Sequence, residues 1–342
     1  MKTAAALAPE LPDILQRARE LTIPPLRDAV QTLPGEITPI VEYHLGWVDA
    51  TGRPESRGGK QVRPALAILS AEACGVPAAT AIPGSVAVEL VHNFSLLHDD
   101  VMDEDRERRH RPTVWALWGV GQAVIVGDAL MALAMRVLLE HDEPTAVAAS
   151  RRLAADTAAM IAGQVEDTAL ETCDGVTVRE CKEMEAKKTG ALLGCASCIG
   201  AILAGAAPGI VQGLADYGLH LGLAFQAVDD LLGIWGRPEV TGKPAWSDIY
   251  QRKKSLPIVA ALSSGESGCA DLRDLLSRNE LAEAEIRRAV KLVEACGGRE
   301  WAEEEARKEM AAALAALERL PIDPLARAEF IGLARFLGER DY

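Results

Sequence analysis

Three carboxylates close an apolar helix. Residues 86–103 read VAVELVHNFSLLHDDVMD, and at about 100° per residue His92, Asp99 and Asp103 fall within roughly 20° of one line, with Asp100 one step around. Carboxylates this close repel, and burying them is costly unless cations compensate. Hard divalent ions, Mg²⁺ above all, suit carboxylate oxygens and keep positions open for water and phosphate. The pattern returns at 219–233, LHLGLAFQAVDDLLG, where Gln226, Asp229 and Asp230 share a face at spacings of three and four. A solvated acidic helix end would account for one such motif. Two separate apolar helices, each with an Asp-Asp pair, point to a metal site.

Cations cluster although the chain is acidic. Gly58-Gly59-Lys60-Gln61-Val62-Arg63-Pro64 sets a turn before a Lys and an Arg three residues apart, which suits a phosphate cradle. Residues 106–111, RERRHR, place four Arg in a short loop, and Arg forks hold phosphate oxygens in pairs. A salt-bridged surface loop is the plainer alternative. Lys187-Lys188-Thr189, Gly242-Lys243-Pro244 and Arg252-Lys253-Lys254 add further charge. Carboxylates for metal and cations for phosphate together imply a diphosphate held through Mg²⁺. The apolar helices around them imply a hydrocarbon tail, and a dry cavity would protect a carbocation left by a departing diphosphate. There is no GxxxxGK[ST] loop and no GxGxxG after a strand, so the kinase and dehydrogenase readings lack their motifs.

The elements that must position these groups read as helices. Of 342 residues, 49% are hydrophobic but only 4% aromatic, and strand-type alternation is scarce, so an all-α protein is predicted. Breaks fall at 51–60, 106–112, 173–176, 236–244, 263–268 and 320–324. None has the length or low complexity of a linker, which favours one domain over 1–342 with roughly a dozen helices. The net charge of −14 opposes nucleic-acid partners. Seven cysteines, an odd number, fit a reducing cytoplasm. The N-terminus shows no targeting pattern. Residues 190–207 carry no charge and would span about 27 Å as a helix, but they are rich in Gly, Ala and Cys and lack aromatic anchors, so a buried helix is expected rather than a membrane span. Cys195 and Cys198 have CxxC spacing without a second ligand pair and read as buried small residues. His44, His141 and His220 read as structural or surface, and Trp115, Trp118, Trp235 and Trp246 as core.

At these residues the sequence resembles the trans-isoprenyl (polyprenyl) diphosphate synthases. The motifs GGKQVRP, HNFSLLHDDVMD, RRHRPT, AGQVED, KKTG, FQAVDD, TGKP and RKKSLP occur in the family's order. The resemblance implies an all-α, single-domain helical barrel of the isoprenoid synthase type around a deep apolar cavity. It also implies a homodimer and head-to-tail condensation of isopentenyl diphosphate with an allylic diphosphate, with Mg²⁺ as cofactor, three ions when substrate is bound. By position, Asp99, Asp100 and Asp103 match the first metal motif, and Asp229 with Asp230 the second. Lys60, Arg63, His92 and Arg109 match the isopentenyl diphosphate pocket. Arg108, Lys188, Lys243 and Lys253 match the cations around the allylic diphosphate. Thr189 and Gln226 match polar groups near the forming cation, and Gln164 and Asp167 a supporting motif.

Two positions depart from the family pattern. Gly233 stands where the second motif commonly has its last Asp, which should weaken that metal site without abolishing it. His110 replaces the Gly of Arg-Arg-Gly and adds bulk. Ser95 and Phe94, four and five residues before Asp99, should form part of the cavity wall about one turn below the metals. One bulky and one small residue match most nearly the family members that make a C20 product, geranylgeranyl diphosphate. A C15 farnesyl product or a longer chain is the alternative, and a terpene cyclase or a non-catalytic subunit of a synthase lies further off.

Overall fold

The computed structural model describes residues 12–55, 57–173, 175–236, 246–278 and 280–338. Lys243 and its TGKP motif lie outside the described residues. Helix dominates as the composition predicts. The described residues form sixteen α-helical segments, more than the dozen expected, because short turns and a π-helical stretch subdivide the apolar runs. The only strands among them are β1 (Glu107–Arg108) and β2 (Arg111–Pro112), an antiparallel pair inside the Arg-rich loop.

The chain divides into two compact units. The first comprises Met1–Arg152, Ala196–Val211 and Pro321–Glu339; the second comprises Leu153–Cys195, Gln212–Leu320 and Arg340–Tyr342.

In the first unit α1 (Asp13–Val30), α3 (Val62–Glu72) and α6 (Val120–Leu139) pack around α4 (Ile82–Met102). Pro83 starts α4 within its first turn, where no backbone donor is needed. Val86, Ala87, Val88, Leu90, Val91 and Leu97 are all at most 1% exposed, so α4 is buried on nearly every side until its last two turns. The helix ends at Asp103, and Glu104 follows with φ 54°. Its acidic end therefore leaves the core as the sequence requires. α2 (Thr38–His44) brings Tyr43 and His44 close to the Arg-rich loop.

The second unit is organised by α7 (Pro144–Glu171), α8 (Val178–Glu185), α9 (Ala191–Leu203) and α10 (Pro208–Trp235), of which α7, α9 and α10 also carry residues of the first unit. Thr177 caps α8 in a reciprocal box with Glu180. Between α8 and α9 the stretch Ala186–Gly190 (AKKTG) is π-helical, a widening that tends to mark functional positions. Met184, Ala227, Val228, Leu232, Leu256 and Val259 share one buried cluster, which fixes α8, α10 and α12 (Leu256–Ser263) together. The intervening α11 (Ser247–Gln251) precedes the RKKSLP motif.

Cys195 and Cys198 are fully buried, and all seven cysteines are unbridged. The four tryptophans read as core are each half-buried, with Trp235 and Trp246 packed against a buried cluster. Their polar edges explain this. Trp115 Nε1 donates to the Asp105 carbonyl at 2.8 Å, Trp235 Nε1 donates to Glu294 at 2.7 Å, Trp118 packs edge-on against Tyr43, and Arg287 lies over Trp246. Val178–Leu203, which holds most of the apolar stretch 190–207, is long and apolar enough to cross a membrane, and 61% of its most apolar window is buried in protein. Val120–Leu139 passes the same test with only 39% buried.

Candidate active site

In the first unit the site is built on the end of α4. Asp99 and Asp103 are half-buried, whereas Asp100 is 2% exposed and accepts from Arg108 Nε at 2.7 Å. Burial pushes the Asp100 carboxyl up to about 6, against the pull of Arg108. Asp100 thus anchors the Arg-rich loop, and Asp99 and Asp103 are the carboxylates of this motif that reach towards solvent.

The loop is held by backbone acceptors. Thr113 Oγ1 and Trp115 Nε1 both donate to the Asp105 carbonyl. Arg111 donates to the carbonyls of Tyr43 and Val48 at 3.2 and 2.8 Å, so it is a brace rather than a phosphate ligand. Arg106 lies over Trp115. The two residues between the strands, Arg109 and His110, both have left-handed φ, 53° and 59°. This is the tight hairpin geometry that normally selects Gly or Asn, so His110 carries strain as well as bulk.

The turn throws Arg109 over the GGKQVRP segment, its guanidinium 3.2 Å from where a Cβ on Gly59 would lie. A concavity results, lined by Arg19, Arg27, Gly58, Gly59, Asn93 and Arg109. Gln61, left-handed at φ 59°, opens α3 and donates to buried Glu89 at 3.0 Å, and Asn93 donates to the same oxygen at 3.3 Å. Burial raises the Glu89 carboxyl, with the nearby Arg63 charge opposing it. Burial lowers Arg63 to about 10, still cationic at neutral pH, and its Nε is buried without a partner among the described residues. Burial, with Arg63, Arg109 and Arg108 around it, holds His92 well below 6.5, so its imidazole is neutral. Lys60 is exposed at the rim beside Phe336. The structure therefore brings Arg63, His92 and Arg109 together around Glu89. A buried guanidinium nitrogen without a partner, next to a histidine kept neutral by cations, fits an anionic ligand.

Sequence reasoning missed Glu89, read as part of an apolar run, and His44, read as structural or surface. His44 is held at about 3 by burial and by Arg108 and Arg109, and its Nε2 has no partner among the described residues. No local signal marks His44, because its cationic neighbours come from more than sixty residues away.

In the second unit Gly163 lets α7 approach the π-helical turn: a Cβ there would lie 2.8 Å from Lys188 Cα. The approach pairs Lys188 with Asp167 and Lys187 with Glu166. From the turn, Thr189 Oγ1 donates to Gln226 Oε1 at 3.0 Å, Gln226 Nε2 to Asp230 Oδ1 at 2.9 Å, and the Leu256 amide to Asp230 Oδ2 at 2.8 Å. Asp230 is buried and Asp229 exposed. Burial first, then the Asp248 and Asp229 charges, push Asp230 up to about 7. Lys253 is half-buried, its backbone amide donating to the Asp248 carbonyl at 2.9 Å. Among the described residues no three His, Cys, Asp or Glu side chains form a closed metal cage. Mg²⁺ is characteristically bound by one or two carboxylates plus waters and substrate phosphate, and each Asp motif offers such carboxylates, half-buried Asp99 and Asp103 in one and exposed Asp229 in the other. The surplus of carboxyls fits it too: Glu185, 4% exposed, has an oxygen without a partner among the described residues, and burial and Asp230 raise its carboxyl well above the usual range.

The polyprenyl synthetase family model matches residues 50–293, a stretch that contains both Asp pairs, Arg63, His92, Arg108, Arg109, Lys188 and Lys253. The chain belongs to the polyprenyl synthetase family. It is 46% identical over 332 residues to a (2E,6E)-farnesyl diphosphate synthase of Mycobacterium tuberculosis, covering 96% of this chain and 92% of that one. To a geranylgeranyl diphosphate synthase of the same organism it is 43% identical, covering 96% and 93%. A crystal structure of a polyprenyl synthetase from Streptomyces coelicolor superposes with a TM-score of 0.92 at 50% identity, covering 96% of this chain and 99% of that one. The all-α polyprenyl synthetase fold is therefore shared.

Proposed function

We propose that this polyprenyl synthetase is a trans-prenyltransferase that condenses isopentenyl diphosphate head to tail with an allylic diphosphate and releases geranylgeranyl diphosphate. The observation that carries the reading is the coexistence of two sets of groups suited to diphosphate, the carboxylate motifs with their cations and the group of Arg63, His92 and Arg109. A terpene cyclase takes one diphosphate and has no use for the second set, and a non-catalytic subunit has no need to keep both.

Arg108, Lys188, Lys253 and, by family position, Lys243 hold the allylic diphosphate, while Lys60, Arg63, His92 and Arg109 hold isopentenyl diphosphate. Neutral His92 donates to a phosphate oxygen without adding charge to a pocket already rich in Arg. Asp99 and Asp103 in the first motif, and Asp229 and Asp230 in the second, are the residues that would hold Mg²⁺, which would supply the charge that neutralises the diphosphate and makes it a better leaving group. The allylic C–O bond breaks with its electron pair on the diphosphate. Thr189 orients Gln226, whose carbonyl dipole faces the developing cation. The isopentenyl double bond then attacks, and transfer of a C2 proton to the departed diphosphate restores a double bond. Asp100 holds Arg108 in place, and Gln164 and Asp167 support Lys188.

The C20 product rests on Phe94 and Ser95. Phe94 is 8% exposed and meets His98 edge-on at 4.9 Å. His98 in turn donates from Nε2 to the Val124 carbonyl at 3.2 Å and fills the space beside Gly127, where a Cβ would lie 2.5 Å from its Cδ2. The Phe94 ring is thus braced through His98 against α6, and Ser95, whose hydroxyl donates to the His92 carbonyl, leaves room beside it. The farnesyl relative's marginally higher identity favours C15 as the second reading. Sizing products from wild type, Phe94→Ala and Ser95→Phe decides: C20, longer and shorter chains are expected, and unchanged lengths in both variants refute Phe94 as the floor.

The whole chain is read as one domain, since the family match runs through both compact units. A homodimer is supported by α6, where Val120, Val124 and Ile125 are 50, 38 and 51% exposed, with Leu117 beside them at 42%. A second copy covers this face better than lipid, because Asp128 stands on the same helix. Unbridged cysteines support a cytoplasmic setting.

A further inference from the structure

Away from the metal and diphosphate groups, two thiols of the second unit meet. Cys269 opens α13 (Cys269–Leu276), and Cys296 directly follows α14 (Glu283–Ala295). Both belong to one buried cluster with Ile258, Ala261, Leu272, Ala289 and Val293. Gly268 permits the approach: a Cβ there would lie 3.1 Å from Cys296 Sγ and 3.2 Å from Leu292 Cδ2. Across this contact the two thiols share a hydrogen bond. The Cys269 sulfur also lies 3.2 Å from Ser264 Oγ and 3.1 Å from the Ala261 carbonyl oxygen. The hydrogen bond with Ser264 above all, then those from Cys296 and the Gly265 and Glu266 backbone, hold the Cys269 thiol below its ordinary value and outweigh its burial. Burial, and then the bond to Cys269, push Cys296 the other way. Cys269 is 7% exposed and Cys296 2%, and residues 263–267, from which Ser264 reaches Cys269, are all exposed. A thiol inclined to ionise on the solvent side, backed by a second thiol that stays protonated, is the arrangement of an attacking and a resolving cysteine.

We propose that Cys269 and Cys296 form a redox modification site, at which hydrogen peroxide converts the thiol pair into a reversible disulfide. The Cys269 thiolate attacks one peroxide oxygen, the O–O bond breaks, and the departing hydroxide takes up a proton as water, which leaves a sulfenic acid on Cys269. Cys296 Sγ then attacks Cys269 Sγ. The S–S bond forms, the S–O bond breaks, and the hydroxide leaves as water with the Cys296 proton. The pair thus loses two hydrogens and two electrons, the peroxide becomes two waters, and a small dithiol reverses the change by exchange. The bridge closes residues 270–295 into a loop. It also ends the thiol hydrogen bond to the Ala261 carbonyl, near the end of α12 opposite the Leu256 amide that holds Asp230. Transient disulfides of this kind are compatible with a reducing compartment.

The test treats the full-length protein with hydrogen peroxide while circular dichroism confirms that it stays folded, blocks the remaining thiols, and maps tryptic peptides without reduction. One linked pair is expected, residues 255–273 joined to residues 292–299, which dithiothreitol separates. In Cys296→Ser the same treatment should leave a sulfenic acid on Cys269 that dimedone labels, whereas Cys269→Ser should leave Cys296 unlabelled. If either variant fails to fold, the wild-type peptide map decides. Absence of the link between 255–273 and 292–299, links that form only through the exposed Cys173 or between chains, or dimedone on Cys296 in place of Cys269 overturns the assignment. The outcome does not depend on the condensation reading, because no substrate enters the experiment.

Discussion

Replacing Arg108 with Gln removes the charge that faces buried Asp100. The wild-type Asp100 carboxyl stands at about 6 against an ordinary 3.8, so its ionised form is about 3 kcal/mol costlier in the folded than in the unfolded chain. Because the folded value is the higher one, this penalty is absent below pH 4, grows through the interval and is complete once pH passes 6. Without Arg108, 2.7 Å away, the folded value rises further and the penalty keeps growing at alkaline pH. The pair is not fully dry, since Arg108 is 31% exposed. The loss at pH 8 should therefore lie at the lower end for breaking a buried ion pair, about 3 kcal/mol. At pH 5.5 Asp100 is largely protonated in both proteins, and only a neutral hydrogen bond is lost, about 1 kcal/mol. Guanidinium titrations at both pH values in the presence of chelator measure the difference. Equal losses at pH 5.5 and pH 8, or a larger loss at pH 5.5, would show that Asp100 is not the buried acid that Arg108 compensates.

Gly163→Ala should cost about 1–3 kcal/mol by pushing α7 off the Lys188 backbone, and it should lower kcat more than melting temperature because Lys188 moves with it; an unchanged kcat contradicts the packing argument. His110→Gly should stabilise by a few tenths to about 1 kcal/mol by relieving the left-handed φ, read as a higher Tm; a lower Tm contradicts it. In the second unit His220 Nδ1 meets Glu309 at 2.6 Å, and that hydrogen bond raises the histidine. Burial raises Glu309, but the hydrogen bonds from His220 and Lys182 outweigh it and bring the carboxyl down to about 2. A raised histidine contributes most below pH 6.5 and loses that contribution as pH climbs through its folded value. His220→Ala, at a half-exposed site, should therefore cost about 1 kcal/mol at pH 6 and progressively less by pH 9; a cost independent of pH removes His220 as the charged partner.

Helix content, the ends of α4 and α10 and the two Asp pairs were legible in the sequence, because 3.6-residue periodicity places residues on a face without help from the rest of the chain. Periodicity does not say which carboxylate of a pair faces inward. Asp100 and Asp230 are the buried members, each tied to groups from another segment, Arg108 in one case and Gln226 with the Leu256 amide in the other. The Arg-rich loop looked like one functional cluster, yet Arg111 braces backbone carbonyls and Arg106 covers Trp115, contacts that exist only once the hairpin has formed. His44, Glu89 and Asp248 were invisible for the same reason: each acquires meaning from groups far away in sequence. Gly233 is the sharpest case, since the space a side chain there would need is filled by the Asp248 carboxyl group.

The central claim is tested most directly by incubating the purified protein with labelled isopentenyl diphosphate and C5, C10 or C15 allylic diphosphates, with Mg²⁺ or chelator, and sizing the dephosphorylated products. The account expects Mg²⁺-dependent incorporation of label that accumulates at C20 and disappears in chelator. No incorporation with any primer, or a hydrocarbon formed from an allylic diphosphate without isopentenyl diphosphate, would contradict it.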